Sequence, residues 1–137
     1  MTRYDQGLLD TSVIIVLEQI DDAAALPERP FISSITLAEL SVGPLVASDQ
    51  ERAARQARLQ RTEADFDPLP FDADAARAFG QVAASLRGSG RKTSARTYDA
   101  MIAAVAIANG LPLYTCNPRD FAGIAGLCVV SVIVSHR

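Results

Sequence analysis

The chain has no tryptophan, one histidine, one lysine and two cysteines, and each scarcity closes a route. The histidine, His136, stands next to the C-terminus, where a Ser-His-Asp triad is hard to assemble, so histidine general-base catalysis is set aside. Cys116 and Cys128 have neither metal-ligand spacing nor a disulfide framework. Each lies in a short apolar stretch, which predicts buried, inert thiols. No Gly-x-x-x-x-Gly-Lys loop is present to cradle a nucleotide. Aromatic residues make up 6% of the chain, too few for a base-stacking platform. The longest apolar stretch, Ala100 to Ala108, is far too short to cross a bilayer. The N-terminus shows no basic region leading into an apolar run and a small-residue cleavage site. The expectation is a cytoplasmic protein with no membrane contact.

What is present points to a folded α/β protein. With 137 residues, of which 49% are hydrophobic, the chain fits one domain over 1–137 with a substantial core. Disorder is excluded by the same figure. A net charge of −3 argues against indiscriminate nucleic-acid binding, yet most of the 13 basic residues fall between Arg52 and Arg96. One face can therefore be positive beside an acidic pocket.

Short apolar runs alternate with helical patterns. Strands are predicted at Gly7–Asp10, Pro30–Ser33, Pro68–Phe71, Pro112–Thr115 and within Leu127–Val134. Thr11 or Ser12 can cap a helix to about Ile20, and Ser33, Ser34 or Thr36 can start one that stops near Gly43-Pro44. Asp49 and Asp72 head helices to about Thr62 and Leu86, and a strongly apolar helix spans Thr97 to Asn109, closing at Gly110. A turn follows around Pro118–Phe121. Nearly continuous apolar strands between helices mean a parallel sheet covered on both faces, with ligands beyond the strands' carboxyl ends.

Four carboxylates, Asp10, Glu39, Asp99 and Asp120, lie in or just after apolar stretches. Singly, each has an ordinary use. Asp99 suits the positive end of its helix, Asp10 can begin a turn, Asp120 can cap one, and Glu39 can face solvent. Together they are harder to dismiss, because two like charges ~4 Å apart repel by about 4 kcal/mol at an effective dielectric near 20. Such clusters persist chiefly by binding a cation or by raising a carboxyl pKa. Oxygen ligands of this kind suit a hard divalent ion.

These residues sit in four ordered segments. They are Leu8-Leu9-Asp10-Thr11-Ser12-Val13-Ile14-Ile15, Ile35-Thr36-Leu37-Ala38-Glu39-Leu40, Tyr98-Asp99-Ala100-Met101-Ile102-Ala103-Ala104-Val105-Ala106 and Leu113-Tyr114-Thr115-Cys116-Asn117-Pro118-Arg119-Asp120-Phe121. In this order and spacing they resemble PIN-domain proteins, and more narrowly VapC-type toxins of bacterial toxin–antitoxin pairs. The resemblance runs from about Gly7 to Val134. It implies a three-layer α/β fold with a central five-stranded parallel sheet flanked by helices. It also implies an endoribonuclease dependent on Mg²⁺, with Mn²⁺ as substitute, a homodimer, and a small VapB-like antitoxin as partner.

Carried over by position, Asp10, Glu39 and Asp99 match the typical metal-site acids, with Asp120 a further catalytic ligand or a residue orienting a water. Asn117 stands where some PIN proteins carry an acid, which weakens a second metal site. Ser12 and Thr115 are either hydroxyl partners for a phosphate or bound water, or caps and turn residues. Arg91, Lys92 and Arg96 lead into the Asp99 helix and are placed to meet an RNA backbone. Arg52, Arg55, Arg58 and Arg61 drift around their helix and read as solvated surface. Metal-assisted hydrolysis would leave a 5′-phosphate and a 3′-hydroxyl and needs no histidine or cysteine. An aspartyl-phosphate phosphatase would want an acid where Ser12 stands. A catalytically degenerate PIN domain, binding RNA or protein, is the alternative; the presence of Asp10, Glu39 and Asp99 together argues against it.

Overall fold

The computed structural model describes residues 4–90 and 96–134. Strand β1 (Gln6–Leu9) runs into a short helix α1 (Thr11–Ile15), and β2 (Arg29–Phe31) into α2 (Ser34–Val46). Three further helices follow, α3 (Asp49–Asp65), α4 (Ala73–Gly88) and α5 (Thr97–Ala108), then β3 (Leu113–Thr115) and β4 (Val129–Ser131). All pairings are parallel, in the order β2-β1-β3-β4.

Alternation along each strand assigns its side chains to opposite faces. Leu8 and Leu113 pack with Val82, Leu86, Ile102 and Phe121 on the side of α4 and α5. Leu9 and Tyr114 pack with Val13, Ile14 and Leu40 on the side of α1 and α2. Each fully buried leucine contributes about 1.5–3 kcal/mol relative to leaving it in water. Helix α5 buries Ala100, Ile102, Ala103, Ala104, Val105 and Ala106, so it is covered nearly all round just past the turn that carries Asp99. It ends in a Schellman turn. Leu111 N–H bonds Ala106 O at 2.9 Å and Gly110 N–H bonds Ile107 O at 3.1 Å, with Gly110 at φ +63° delivering the chain to β3.

Among the described residues the sheet has four strands rather than the five expected. At the predicted strand Pro68–Phe71 only Leu69 bridges to Ser33, donating to Ile32 O and accepting from Ser34 N–H. Pro68 and Pro70 flank it and have no N–H to extend a ladder.

Two helix ends also differ from expectation. Helix α1 stops at Ile15 and continues as a 3-10 turn over Leu17–Gln19, after four successive β-branched residues, Val13 to Val16. Helix α2 runs through Gly43-Pro44 to Val46. Its end is held from α3, where Arg55 donates to Gly43 O at 3.3 Å and Arg52 Nε to Pro44 O at 3.3 Å. Those two arginines, expected as solvated surface, thus satisfy carbonyls at the end of a neighbouring helix. Cys128 is exposed and Cys116 only partly buried, because the segment leading into the edge strand β4 leaves Cys128 uncovered.

At Gly7 an added Cβ would lie 2.5 Å from Cε1 of the buried Tyr114 ring and 3.1 Å from Pro27. Gly7→Ala would ordinarily gain stability by restricting the unfolded chain. Here overpacking wins, and a net loss of about 1–3 kcal/mol is expected in urea unfolding. Unchanged stability would mean that the Tyr114 ring is free to yield.

Candidate active site

The carboxyl end of β1 delivers Asp10 to the N-terminus of α1, where helix capping is the obvious use for its side chain. The side chain does not cap. It is buried, 4% exposed, and its Oδ2 accepts from Ser12 Oγ at 2.7 Å and from Thr115 Oγ1 at 2.9 Å. Both hydroxyls are themselves fixed. Ser12 Oγ accepts from Cys116 N–H at 3.1 Å, and Thr115 Oγ1 accepts from Asn117 N–H at 3.0 Å. The carboxyl ends of the adjacent strands β1 and β3 are thereby tied through one carboxylate, whose second oxygen is not used in these bonds.

Glu39 comes from the middle of α2, whose start is set by Ser33 capping Thr36 N–H at 3.2 Å. Its Oε1 accepts from Thr11 Oγ1 at 2.8 Å, and Thr11 also meets the buried Thr36 hydroxyl at 2.9 Å. Glu39 therefore faces α1 rather than open solvent. Burial raises its carboxyl above the ordinary value, the Thr11 hydrogen bond opposes that, and Asp10 adds to the rise.

Asp99 sits in the first turn of α5, and Asp120 on the 3-10 turn Pro118–Phe121 beyond β3. Arg96 joins them, paired directly with Asp120 Oδ1 and lying 3.8 Å from Asp99 Oδ2. Burial raises the Asp99 carboxyl. Asp10, Asp120 and Glu39 raise it further, to about 6, while Arg96 pulls it down. One residue thus feels the other three acids, although they come from four separate segments. Burial also raises the Cys116 thiol, which keeps it protonated and unreactive.

Among the described residues, no three His, Cys, Asp or Glu side chains already stand together as a metal cluster. Asp10 is turned to Ser12 and Thr115, Glu39 to Thr11, and Asp99 and Asp120 to Arg96. The donor chemistry nevertheless fits a hard cation, being carboxylate oxygen throughout.

The predicted residues Ser12, Thr115, Asn117 and Arg96 all fall beside these acids. Asn117 is exposed and contributes its N–H. Arg91 and Lys92, and likewise His136, lie outside the described residues. Thr11 and Thr36 were missed as site residues. Their only sequence signal was a hydroxyl one residue after Asp10 and another three before Glu39.

A PIN domain model matches residues 7–127. Ribonuclease VapC5 of Mycobacterium tuberculosis (strain ATCC 25618 / H37Rv) is 40% identical over 130 residues, covering 93% of this chain and 93% of that protein. A tRNA(fMet)-specific endonuclease VapC of Shigella flexneri is 38% identical over 96 residues, 70% of each protein. The crystal structure of VapBC-5, a member of the VapBC family of toxin-antitoxin systems from Mycobacterium tuberculosis, superposes with a TM-score of 0.79 at 39% identity. It covers 93% of this chain and 99% of that one.

Proposed function

The chain belongs to the PIN-domain family, among the VapC ribonucleases, and from that premise we propose that it is the toxin of a toxin–antitoxin pair, an endoribonuclease whose 137 residues act as one domain. The observation that carries the reading is geometric: Asp10 is fixed between the carboxyl ends of β1 and β3 by Ser12 and Thr115, and Asp99 and Asp120 meet at Arg96 just beyond β3. Asp10, Glu39, Asp99 and Asp120 would hold a divalent cation, Mg²⁺ with Mn²⁺ as substitute. When bound, that ion supplies Lewis-acid polarisation of the scissile phosphate and an activated water.

The protein's own part is orientation and charge. Ser12 and Thr115 fix Oδ2 of Asp10, so the carboxylate cannot turn away to cap α1. Thr11 holds Glu39 toward the pocket. The Asp99 backbone is carried by α5, and the buried Phe121 anchors the turn that carries Asp120. Arg96, with Arg91 and Lys92 nearby in sequence, would meet the RNA backbone. The RNA would be hydrolysed to a 5′-phosphate and a 3′-hydroxyl.

A small VapB-like antitoxin would cover α1 and α2, where Ile15, Val42, Leu45 and Val46 are exposed. A cleft of about 390 Å³ there is lined by Thr11, Ile15, Glu39, Leu40, Gly43, Arg55 and Arg58, so an inserted partner segment would reach Glu39. The toxin would act as a homodimer in the cytoplasm. No helix among the described residues is long and apolar enough to cross a membrane.

The test is expression of the chain with and without the adjacent small gene, coupled to sequencing of RNA 5′ ends. Growth arrest and new 5′-phosphate ends are expected, both suppressed by co-expression. With purified protein, chelator should abolish cleavage and Mg²⁺ or Mn²⁺ restore it. Undiminished cleavage in excess chelator would sink the metal reading. Normal growth with soluble protein present would sink the toxin reading.

A further inference from the structure

Among the described residues most arginine pairs are local, and the long-range pair of Arg61 with Glu18 is open to solvent, its side chains 54% and 73% exposed. Arg52, Arg55 and Arg77 meet Asp49, Glu51 and Asp74, each three or four residues away on the same helix. Such exposed pairs contribute little. Arg96 is different. It precedes α5 and reaches across to Asp120 on the turn beyond β3, while also approaching Asp99 at 3.8 Å. The three side chains are only 37%, 30% and 29% exposed, so their attraction is screened less than that of a surface pair.

A guanidinium between two carboxylates neutralises the same charge that a divalent ion would. It also pairs directly with Asp120 Oδ1 and draws Asp99 Oδ2 by charge alone at 3.8 Å, and an oxygen held by Arg96 is not arranged around a metal. We infer that Arg96 is the resident counter-ion of the pocket: it holds Asp99 and Asp120 in the metal-free protein, is exchanged for the divalent cation when that cation binds, and is thereby freed to face RNA phosphate. The inference rests on reading the four acids as metal ligands. It makes Arg96 a positioning residue with two alternating sets of partners, and it means that metal binding must break an existing ion pair.

The experiment uses the full-length protein stripped with chelator, as wild type, Arg96→Gln and Arg96→Lys, titrated with Mn²⁺ by calorimetry. Loss of the competing cation should tighten Mn²⁺ binding in Arg96→Gln by about three- to tenfold, the scale of one modest ion pair. Its melting temperature in chelator should fall, and the rise on adding metal should be larger than in wild type. Arg96→Lys keeps the charge without the fork, should bind Mn²⁺ with intermediate affinity, and preserves the comparison if Arg96→Gln folds poorly. A second readout separates exchange from general charge repulsion. In ¹⁵N-labelled wild type, the Arg96 Nε–H signal, assigned by its loss in Arg96→Gln, should move to a solvent-exposed position at saturating Mg²⁺. An unmoved signal, or unchanged or weaker Mn²⁺ binding in both variants, overturns the exchange while leaving the metal site intact. If wild type itself binds no Mn²⁺, the metal site falls and the inference with it.

Discussion

Asp99→Asn is expected to lose RNA cleavage by orders of magnitude and yet to melt at a higher temperature than the parent in chelator at pH 7. The two effects share one cause. The Asp99 carboxylate is unwelcome in the metal-free fold, where burial and then Asp10, Asp120 and Glu39 raise its pKa from 3.8 to about 6. An acid raised in the folded state is a liability when ionised. The fold is spared the cost below pH 3.8, begins to bear it as pH rises through the interval to about 6, and bears it fully above. Removing the charge at pH 7 should return roughly 1–2 kcal/mol after allowance for solvent screening, or about 3–6 °C. Near pH 4 the gain should largely vanish. Arg96 loses little, since its direct partner is Asp120. The same charge would be a metal ligand, and an amide is a much poorer one, so activity and stability move in opposite directions. Calorimetric melts at pH 4 and pH 7, beside a cleavage assay with Mg²⁺, provide the check. A variant that cleaves RNA at the parent rate, or that is destabilised at pH 7, contradicts this account of the pocket.

The second large effect concerns stability and the placing of one acid together. Phe121 is 2% exposed and packs in the cluster beneath α4 and α5, one residue after Asp120. Phe121→Ala should cost about 3–5 kcal/mol, from lost apolar transfer and the cavity left behind. For a chain of this size that is a drop on the order of 10–20 °C in melting temperature. The turn Pro118–Phe121 carries a backbone bond from Asp120 N–H to Asn117 O at 3.0 Å, and Phe121 is the side chain it buries. Its position therefore depends on the anchor, and cleavage should fall further than the loss of folded protein explains. Activity per folded molecule equal to the parent's would show that Asp120 is placed without Phe121.

Local signals determined much of the architecture. The Asp72 cap accepts Ala75 N–H at 3.0 Å at the head of α4, as the helical pattern after it predicted. The apolar run before Gly110 became α5, and the short apolar runs around Leu8 and Leu113 became adjacent parallel strands. Each of these outcomes depends on neighbours within a few residues, such as a cap, a period or a glycine, so the sequence alone was enough. The presence of four acids at strand ends and helix starts was legible for the same reason.

What those acids do was decided by contacts across the chain. In sequence Asp10 can merely begin a turn with Thr11 or Ser12 as the cap, but Thr115, brought alongside by the β1–β3 pairing, takes its carboxylate. Helix α2 outruns its own Gly43-Pro44 stop signal because Arg52 and Arg55 from α3 supply donors to its last carbonyls. Leu69 is a bridge and not a strand because its proline neighbours cannot hydrogen-bond further. Arg96 reads as a phosphate-binding residue until the turn after β3 sets Asp120 against it. A local propensity is worth a few tenths of a kcal/mol to about 1 kcal/mol per residue, whereas a half-buried charge or an unpaired carbonyl is worth more than that. Where the two compete, the tertiary partner prevails, and that partner lies from 8 residues away, for Arg52 and Pro44, to 105, for Thr115 and Asp10.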